Sequence, residues 1–388
     1  MEREARPVLA GRGKRTNCNS ARLSSCRMPA IIRNGMQSVQ VRIMSRVWLY
    51  GLTAALCILV LGGALFLNFR QSYGQDRRAV FGTDQVDMCR EVQAALQAEK
   101  FDELDRMGRQ LATLKDRFVG GREKIAGFYD FTGMDGCTTG FCDAQPVQPE
   151  NIRKLQHWLN RDPRNPVAKT AMALNWYHYA WISRSCAAFG DITFDQWQGY
   201  FDRLRIARSY LADIDPRESP QYYVLMILIT CESGGPREQL DALYEQGHAA
   251  FPDFYSLTAI YSWSLDLSWF GRKGDVAWLS GRLLTDPGGD AGQVAYSFIA
   301  EQAARTVSTD RYFSDTGLSW EKIKQGFATR QRLYDLSNHD WNAYGYIAYA
   351  ASDRNAAREA YAHFGDNWDD SVWGQGFYLS QVLPWIKG

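Results

Sequence analysis

The sequence predicts an all-α protein: an irregular helical-repeat solenoid, tetratricopeptide-like in type, behind one N-terminal transmembrane helix. Three observations lead to this prediction. Apolar residues recur at helical spacing over most of the chain, proline-containing breaks return at about the length of a helix pair, and one long uncharged run lies near the N-terminus. We find no sustained alternation of apolar and polar residues of the kind that a half-buried β-strand shows.

The uncharged run at 47–69 is predicted to be a transmembrane anchor. A helix of this length rises about 34 Å, which is enough to cross a bilayer with some tilt. Trp48 and Tyr50 lie at one end, where membrane proteins place interfacial aromatic residues. The alternatives are a buried core helix, which rarely stays uncharged for so long, and a cleaved signal peptide, whose apolar region is usually shorter. We therefore expect an uncleaved anchor.

Charge is distributed unevenly on the two sides of this run. The chain holds 44 Lys and Arg residues and 43 Asp and Glu residues. Residues 2–46 contain ten of the basic residues and two of the acidic ones. That leaves 34 basic and 41 acidic residues in 47–388, a net charge of −7. The positive-inside rule then predicts a cytoplasmic N-terminus and an exported C-terminal part. A mildly acidic domain also argues against a nucleic-acid partner.

These observations divide the chain into four segments. We expect a basic, disordered cytoplasmic tail at 1–46, the anchor at 47–69, a linker at 70–84 and an exported helical-repeat domain at 85–388. Met44 directly precedes the anchor and is an alternative start of the chain, because the sequence that follows it is typical of a short bacterial signal-anchor.

Eight cysteines are present, and five of them lie in the predicted exported domain. Cys137 and Cys142 share a glycine-rich loop, and an oxidising compartment would favour a disulfide between them. Half of a metal site is the alternative, but no second cysteine pair or histidine cluster accompanies the two residues. We therefore expect no metal and no cofactor. Cys89, Cys186 and Cys231 are interpreted as buried small apolar residues.

Helix pairs are predicted at both ends of the domain. The apolar pattern at 86–118 divides at 98–100, and the pattern at 343–364 divides at 352–354. Between these pairs, four proline dipeptides are predicted to end one helix and open the next: Asp162-Pro163, Asp215-Pro216, Phe251-Pro252 and Asp286-Pro287. The last three follow one another at steps of 36 and 35 residues. The C-terminal stretch 376–388 is apolar and is predicted to cap the last repeat.

Several of these segments together resemble a known family. They are FDELDRMGRQL near the start of the domain, the loop after Phe128-Tyr129, Trp181-x-x-Arg184, the stretch FPDFYSLTAIYSWSLDLSWFG, and the tetratricopeptide-like pair near the C-terminus. Their order over roughly 85–375 resembles a bacterial family, domain of unknown function family 4034. The resemblance implies a helical fold and carries over no catalytic residue. With the charge pattern, it places the protein in a bacterial inner membrane, with the domain in the periplasm.

Catalytic signatures are missing from the sequence. It contains no phosphate-binding glycine loop, no dinucleotide-binding glycine pattern, no His-Glu-x-x-His and no Gly-x-Ser-x-Gly. His178 and Cys186 are eight residues apart on one predicted helix, about 12 Å, which is too far for a catalytic pair. We therefore expect a protein that is not an enzyme.

Aromatic residues supply the candidate binding positions. The cluster at 176–181 is interpreted first as a core helix, because rings surround it on all sides. The functional alternative is an aromatic groove for a peptide or a glycan, with Trp181, Arg184, Trp269 and Arg272 as its candidate residues. A competing interpretation has Arg184 pairing with an acidic residue to join two helices.

Two functions follow from these patterns. The first is a membrane-anchored binding or scaffold module of the cell envelope with a protein or peptide partner. The alternative is an envelope enzyme that acts on peptidoglycan or glycans through a carboxylate acid and base, which would need two facing carboxylates in a deep pocket.

Overall fold

The computed structural model describes residues 82–134, 137, 147–185, 191–267, 269–374 and 377–388, and all of them belong to one compact unit, Asp76–Gly388. The predicted tail 1–46 and the anchor 47–69 lie outside the described residues, so both stay predictions. Within the described ranges, no helix has both the length and the apolar run that a membrane crossing requires.

The regular elements of the described residues are helices, which confirms the predicted all-α class. In chain order the α-helices are α1 Thr83–Gln97, α2 Phe101–Leu114, α3 Lys124–Thr132, α4 Gln148–Arg161, α5 Pro166–Arg184, α6 Phe194–Leu211, α7 Pro220–Glu232, α8 Arg237–Ala250, α9 Tyr255–Ser264, α10 Asp275–Leu283, α11 Gly289–Ala304, α12 Tyr312–Thr316, α13 Trp320–Tyr334, α14 Asn338–Ala350, α15 Arg354–Phe364, α16 Asp370–Trp373 and α17 Phe377–Lys387.

Local signals set the ends of these helices. The predicted breaks at 98–100 and 352–354 separate α1 from α2 and α14 from α15, and each of the four proline dipeptides lies between two helices. Asn165 shows the mechanism at the start of α5, because its side chain accepts a hydrogen bond from the Ala168 amide at 3.0 Å and proline follows it.

The helices pack as a row of inner helices with partner helices against them. The inner helices α5, α7, α9, α11 and α14 each pack against the next one in the row. Helices α6, α8, α13 and α15 pack against α5, α7, α11 and α14 respectively. The inner helix α7 is buried on nearly all sides, which explains its apolar sequence YYVLMILITC.

The loop at 115–123 connects parts of the domain that are far apart in sequence. The Nη2 atom of Arg117 donates a hydrogen bond to the carbonyl oxygen of Asp253 at 2.6 Å, and the carboxylate of Glu123 accepts one from the amide of Tyr255 at 2.6 Å. Arg330 donates to the carbonyl oxygen of Gly120, 210 residues away. In an open solenoid each repeat contacts only its neighbours, so these contacts are a departure from that arrangement.

The disulfide prediction for Cys137 and Cys142 is corrected by the structure. Cys137 is bonded to Cys89 of α1, with the two Cα atoms 5.7 Å apart. The physical reason is the packing of α1 against α3, which brings Cys89 beside the loop that follows α3. Cys142 lies outside the described residues. Cys231 is a free, buried thiol, as predicted.

The C-terminal helix α17 packs against α15 and α16. Val382 and Ile386 are buried, and the Nε atom of Arg358 in α15 donates a hydrogen bond to the carbonyl oxygen of Ile386 at 2.8 Å. Trp385 contacts Tyr349 edge to face, with ring centroids 5.1 Å apart. The apolar C-terminal stretch therefore covers the last helix pair.

Candidate functional site

The four predicted binding residues lie in two clusters. Trp181 and Arg184 lie at the C-terminal end of α5, and Trp269 and Arg272 lie in the loop between α9 and α10. Both places follow the C-terminal ends of inner helices.

Arg184 stacks on aromatic rings in the first cluster. Its guanidinium carbon lies 5.0 Å from the ring centroid of Trp181 and 5.3 Å from that of Trp197 in α6. Its Nη1 atom donates a hydrogen bond to the carbonyl oxygen of Ser185 at 3.2 Å. No acidic side chain among the described residues lies within ion-pair distance of it, although its charge favours the ionised form of the buried Glu232. Arg184 joins α5 to α6 by cation–π contacts instead.

A buried carboxylate lies beneath these rings. Glu232, at the end of α7, is 6% exposed, and its two oxygens accept hydrogen bonds from the hydroxyls of Tyr177 and Tyr200 at 2.6 and 2.5 Å. The indole nitrogen of Trp181 donates to the Tyr177 hydroxyl at 3.0 Å. Glu232 therefore joins three helices through one hydrogen-bonded cluster.

Burial controls the protonation of this carboxylate. Desolvation raises the pKa of Glu232 to about 7, even though the two tyrosine hydrogen bonds and Arg184 favour the charged form. The sequence analysis did not identify Glu232, because a single Glu at the end of an apolar helix is typical of an ordinary helix end. With both oxygens held by tyrosines and little exposure, Glu232 has a structural role, not contact with a ligand.

The second cluster is built on a tight loop. The amide of Phe270 donates a hydrogen bond to the carbonyl oxygen of Ser264 at 3.2 Å, and the amide of Gly271 donates to that of Asp266 at 3.1 Å. A side chain at Gly271 would collide with the carbonyl oxygen of Leu265, so only glycine allows this closure. The loop consequently turns Trp269 outward with 40% of its surface exposed.

A groove of about 430 Å³ runs beside this loop. Its walls come from the end of α9, the loop, the start of α10, the end of α11 and α12. Leu265, Val276, Ala303 and Val307 supply apolar surface, and the polar lining includes Asp266, Arg272, Gln302, Thr306, Arg311 and Asp315. Trp263 also lines the groove, and its ring centroid is 4.7 Å from that of Trp269. The size is within the usual range for ligand sites.

Arg237 holds the loop against α8. Its Nη1 atom donates hydrogen bonds to the carbonyl oxygen of Phe270 at 3.2 Å and to the carboxylate of Asp275 at 2.8 Å, and its Nε atom donates to Asp241 at 2.6 Å. The Tyr261 hydroxyl also donates to Asp241, at 2.6 Å. This network fixes the loop from beneath and gives the groove a defined wall.

The charges that line the groove are unequally paired. Arg311 forms an ion pair with Asp315 at 2.5 Å, and Asp266 accepts a hydrogen bond from the Thr306 hydroxyl at 3.3 Å. The guanidinium of Arg272, in contrast, has no hydrogen bond or ion pair with any residue that the structure describes.

The carboxylate nearest to Arg272 in sequence is already occupied. Asp275 accepts hydrogen bonds from Arg237 and from the backbone amide of Arg272 itself, the latter at 2.9 Å. Arg272 therefore supplies a positive charge to the groove, whose lining also includes Trp263. In the parts of the chain that the structure describes, no group of three or more His, Cys, Asp or Glu residues could hold a metal ion.

The fold and the groove define the class of protein: an all-α domain of packed helix pairs with a ligand-sized groove at the ends of its inner helices. Within it, residues 88–248 match the family model described as domain of unknown function (DUF4034). The resemblance predicted from the sequence is confirmed for this segment. The segment contains Trp181, Arg184 and Glu232 and ends before the groove. No curated protein and no solved structure matches the chain.

Proposed function

We propose that this protein is a membrane-anchored binding module of the bacterial cell envelope, and that the groove between α9 and α12 binds a protein or peptide partner. The carrying observation is the groove itself, which is lined by the exposed side chain of Leu267, by Arg272 and by Trp263, against whose ring Trp269 packs. Tryptophan and arginine are the residues that most often dominate binding energy at interfaces.

The packed helix pairs support this proposal. The inner helices contact one another in series, and the C-terminal ends of α9 and α11 both line the groove. Helical-repeat proteins form extended binding surfaces from helices stacked in this way. Contacts of the 115–123 loop with α9, α13 and α14 make that scaffold rigid, because they fix the array at points far apart in sequence. A rigid scaffold reduces the entropy that binding costs.

The proposed location is the periplasmic side of the inner membrane, with the anchor at 47–69. The disulfide between Cys89 and Cys137 supports it, because structural disulfides form and persist in oxidising compartments. The mildly acidic composition of 47–388 is compatible with the same orientation.

A photo-crosslinking amino acid tests the proposal in intact cells. Placed at Leu267, which is 45% exposed beside the groove, it should capture a discrete partner, and the added change Trp269→Ala should abolish that product. The matched control is the same amino acid at Leu333 of α13, which is 40% exposed and lies outside the groove. Equal products from both positions, or no product from Leu267, would contradict the proposal.

The alternative is an envelope enzyme that uses carboxylates. Asp266 and Asp315 both line the groove, and this placement is the specific observation in its favour. Both carboxylates already have polar partners, Thr306 for Asp266 and Arg311 for Asp315, whereas an acid and base pair must be available to the substrate. Turnover of peptidoglycan by the purified chain, lost in Asp266→Asn or Asp315→Asn with an unchanged melting temperature, would replace the binding proposal by this one.

A further inference from the structure

The groove contains two features that together select a chemical class of partner. One is the guanidinium of Arg272, which has no ion pair among the described residues, and the other is the indole ring of Trp263, against which Trp269 packs. A guanidinium prefers carboxylates among biological acceptors, because its N–H groups match the two oxygens. Indole rings prefer flat or apolar groups, which they cover over a large area.

We infer that the groove binds a peptide segment in which a carboxylate adjoins an aromatic or large aliphatic side chain, with Arg272 as the carboxylate contact and Trp263 as the apolar contact. This inference rests on the proposed function, because it names the chemistry of the partner of the same groove. The carboxylate is that of a Glu or Asp side chain or of a free C-terminus.

Asp266 explains why a peptide fits better than a simple anion. Its carboxylate lines the same groove and accepts a hydrogen bond from the Thr306 hydroxyl, so a small anion at Arg272 also meets a negative charge in the lining. A peptide offers a carboxylate for Arg272 and also backbone N–H groups, which a carboxylate can accept in addition to the hydrogen bonds it already has. The apolar wall formed by Leu265, Ala303 and Val307 suits the rest of such a segment.

Four small probes test this chemistry on the full-length chain in detergent micelles, by saturation-transfer NMR. Acetyl-Phe-Glu-amide and acetyl-Phe-Gln-amide have nearly the same shape and differ in one charge. Acetyl-Phe-Lys-amide inverts that charge, and glucuronate carries a carboxylate without a peptide. Because Arg272 is exposed, we expect the Glu probe to bind about fivefold more tightly than the Gln probe at low salt, and less so at high salt.

Two variants and one control connect the result to the groove. Arg272→Gln should make the Glu and Gln probes equal while leaving Gln binding unchanged, and Trp263→Ala should weaken both probes. Trp278→Ala is the matched control, because Trp278 is 53% exposed on the neighbouring α10 and does not line the groove. It should change neither affinity.

The possible outcomes separate a failure of the carboxylate-peptide assignment from a failure of the groove as a binding site. Equal binding of the Glu and Gln probes to the unchanged protein, or a preference that survives Arg272→Gln, overturns the carboxylate assignment and leaves the groove as a site. Glucuronate binding that depends on Arg272 and exceeds that of the Glu probe overturns the peptide in favour of an acidic glycan. No binding of any probe at up to about 10 mM counts against the groove and therefore against both proposals.

Discussion

The guanidinium of Arg330 in α13 donates a hydrogen bond to the carbonyl oxygen of Gly120 in the 115–123 loop, across 210 residues of sequence. The same side chain is 2% exposed, donates to Glu301 at 2.6 Å, pairs with Asp340, and lies 3.8 Å over the ring centroid of Phe298. One arginine therefore joins the first third of the domain to its last third and supplies a positive charge to the buried carboxylates of Glu301 and Asp340.

Removal of this charge should destabilise the whole domain. Arg330→Met leaves the carboxylates of Glu301 and Asp340 buried with less compensation, and we expect a loss of about 3–5 kcal/mol in the free energy of unfolding. Arg332→Met is the control, because Arg332 pairs with Asp290 on the surface and should cost less than about 1 kcal/mol. Urea unfolding followed by circular dichroism measures both. Similar midpoints for the two variants would contradict the role assigned to Arg330.

Glu232 should make stability fall as pH rises through the weakly acidic range. Its pKa is about 7 in the folded protein against an ordinary value of 4.5, so the folded state retains the proton where the unfolded state has lost it. Its contribution is therefore complete below about pH 4.5 and lost by about pH 7, a change of up to about 3 kcal/mol.

Glu232→Gln removes this titration and retains the shape of the side chain. Melting temperatures of the two proteins should diverge between pH 4.5 and pH 7, with the variant less dependent on pH. The control Glu238→Gln changes an exposed carboxylate on α8 and should follow the unchanged protein. Parallel curves for Glu232→Gln and the unchanged protein would show that the buried carboxylate does not titrate in this range.

His339 should act in a higher pH window. Burial opposes its protonation, but hydrogen bonds to Asp369 and Glu301 outweigh that cost and raise its pKa to about 10 from an ordinary 6.5. Its stabilisation is therefore complete below about pH 6.5 and lost as pH rises toward 10. His339→Gln should be less stable by about 2–3 kcal/mol at pH 6, and the gap should close near pH 10. A gap that is constant over this range in urea titrations would contradict the assignment.

The disulfide should be found between Cys89 and Cys137 in protein isolated from its native cells without reductant. Peptide mapping without reduction should recover the two cysteines in one cross-linked product. The bond closes 48 residues, and the loop-entropy model predicts a stabilisation of about 4 kcal/mol. Cys89→Ser with Cys137→Ser should melt correspondingly lower. Recovery of Cys137 linked to Cys142, or of free thiols at both positions, would be incompatible with this pairing.

The proposed topology predicts the behaviour of fusions to the C-terminus. An enzyme that is active only outside the cytoplasm should be active when joined after Gly388, because the basic tail at 2–46 retains the N-terminus inside. A reporter that is active only in the cytoplasm should be silent at the same position. The reverse pair of results would overturn the orientation and the proposed location together.

The sequence by itself determined where the helices begin and end. The breaks at 98–100 and 352–354 and the four proline dipeptides act through the backbone of adjacent residues, so they have the same effect in any tertiary setting. The apolar run of α7 leaves no polar face, so its composition by itself requires an enclosed helix.

Only the tertiary structure decided which of these residues meet. Cys137 bonds to Cys89 and not to its neighbour Cys142 because α1 packs against α3, and Arg184 meets Trp197 because α5 packs against α6. The unusual pKa of Glu232 and the unpaired state of Arg272 depend on side chains that arrive from other helices. Burial, pairing and pKa are properties of surroundings, and those surroundings come from residues tens to hundreds of positions away, which local sequence patterns do not encode.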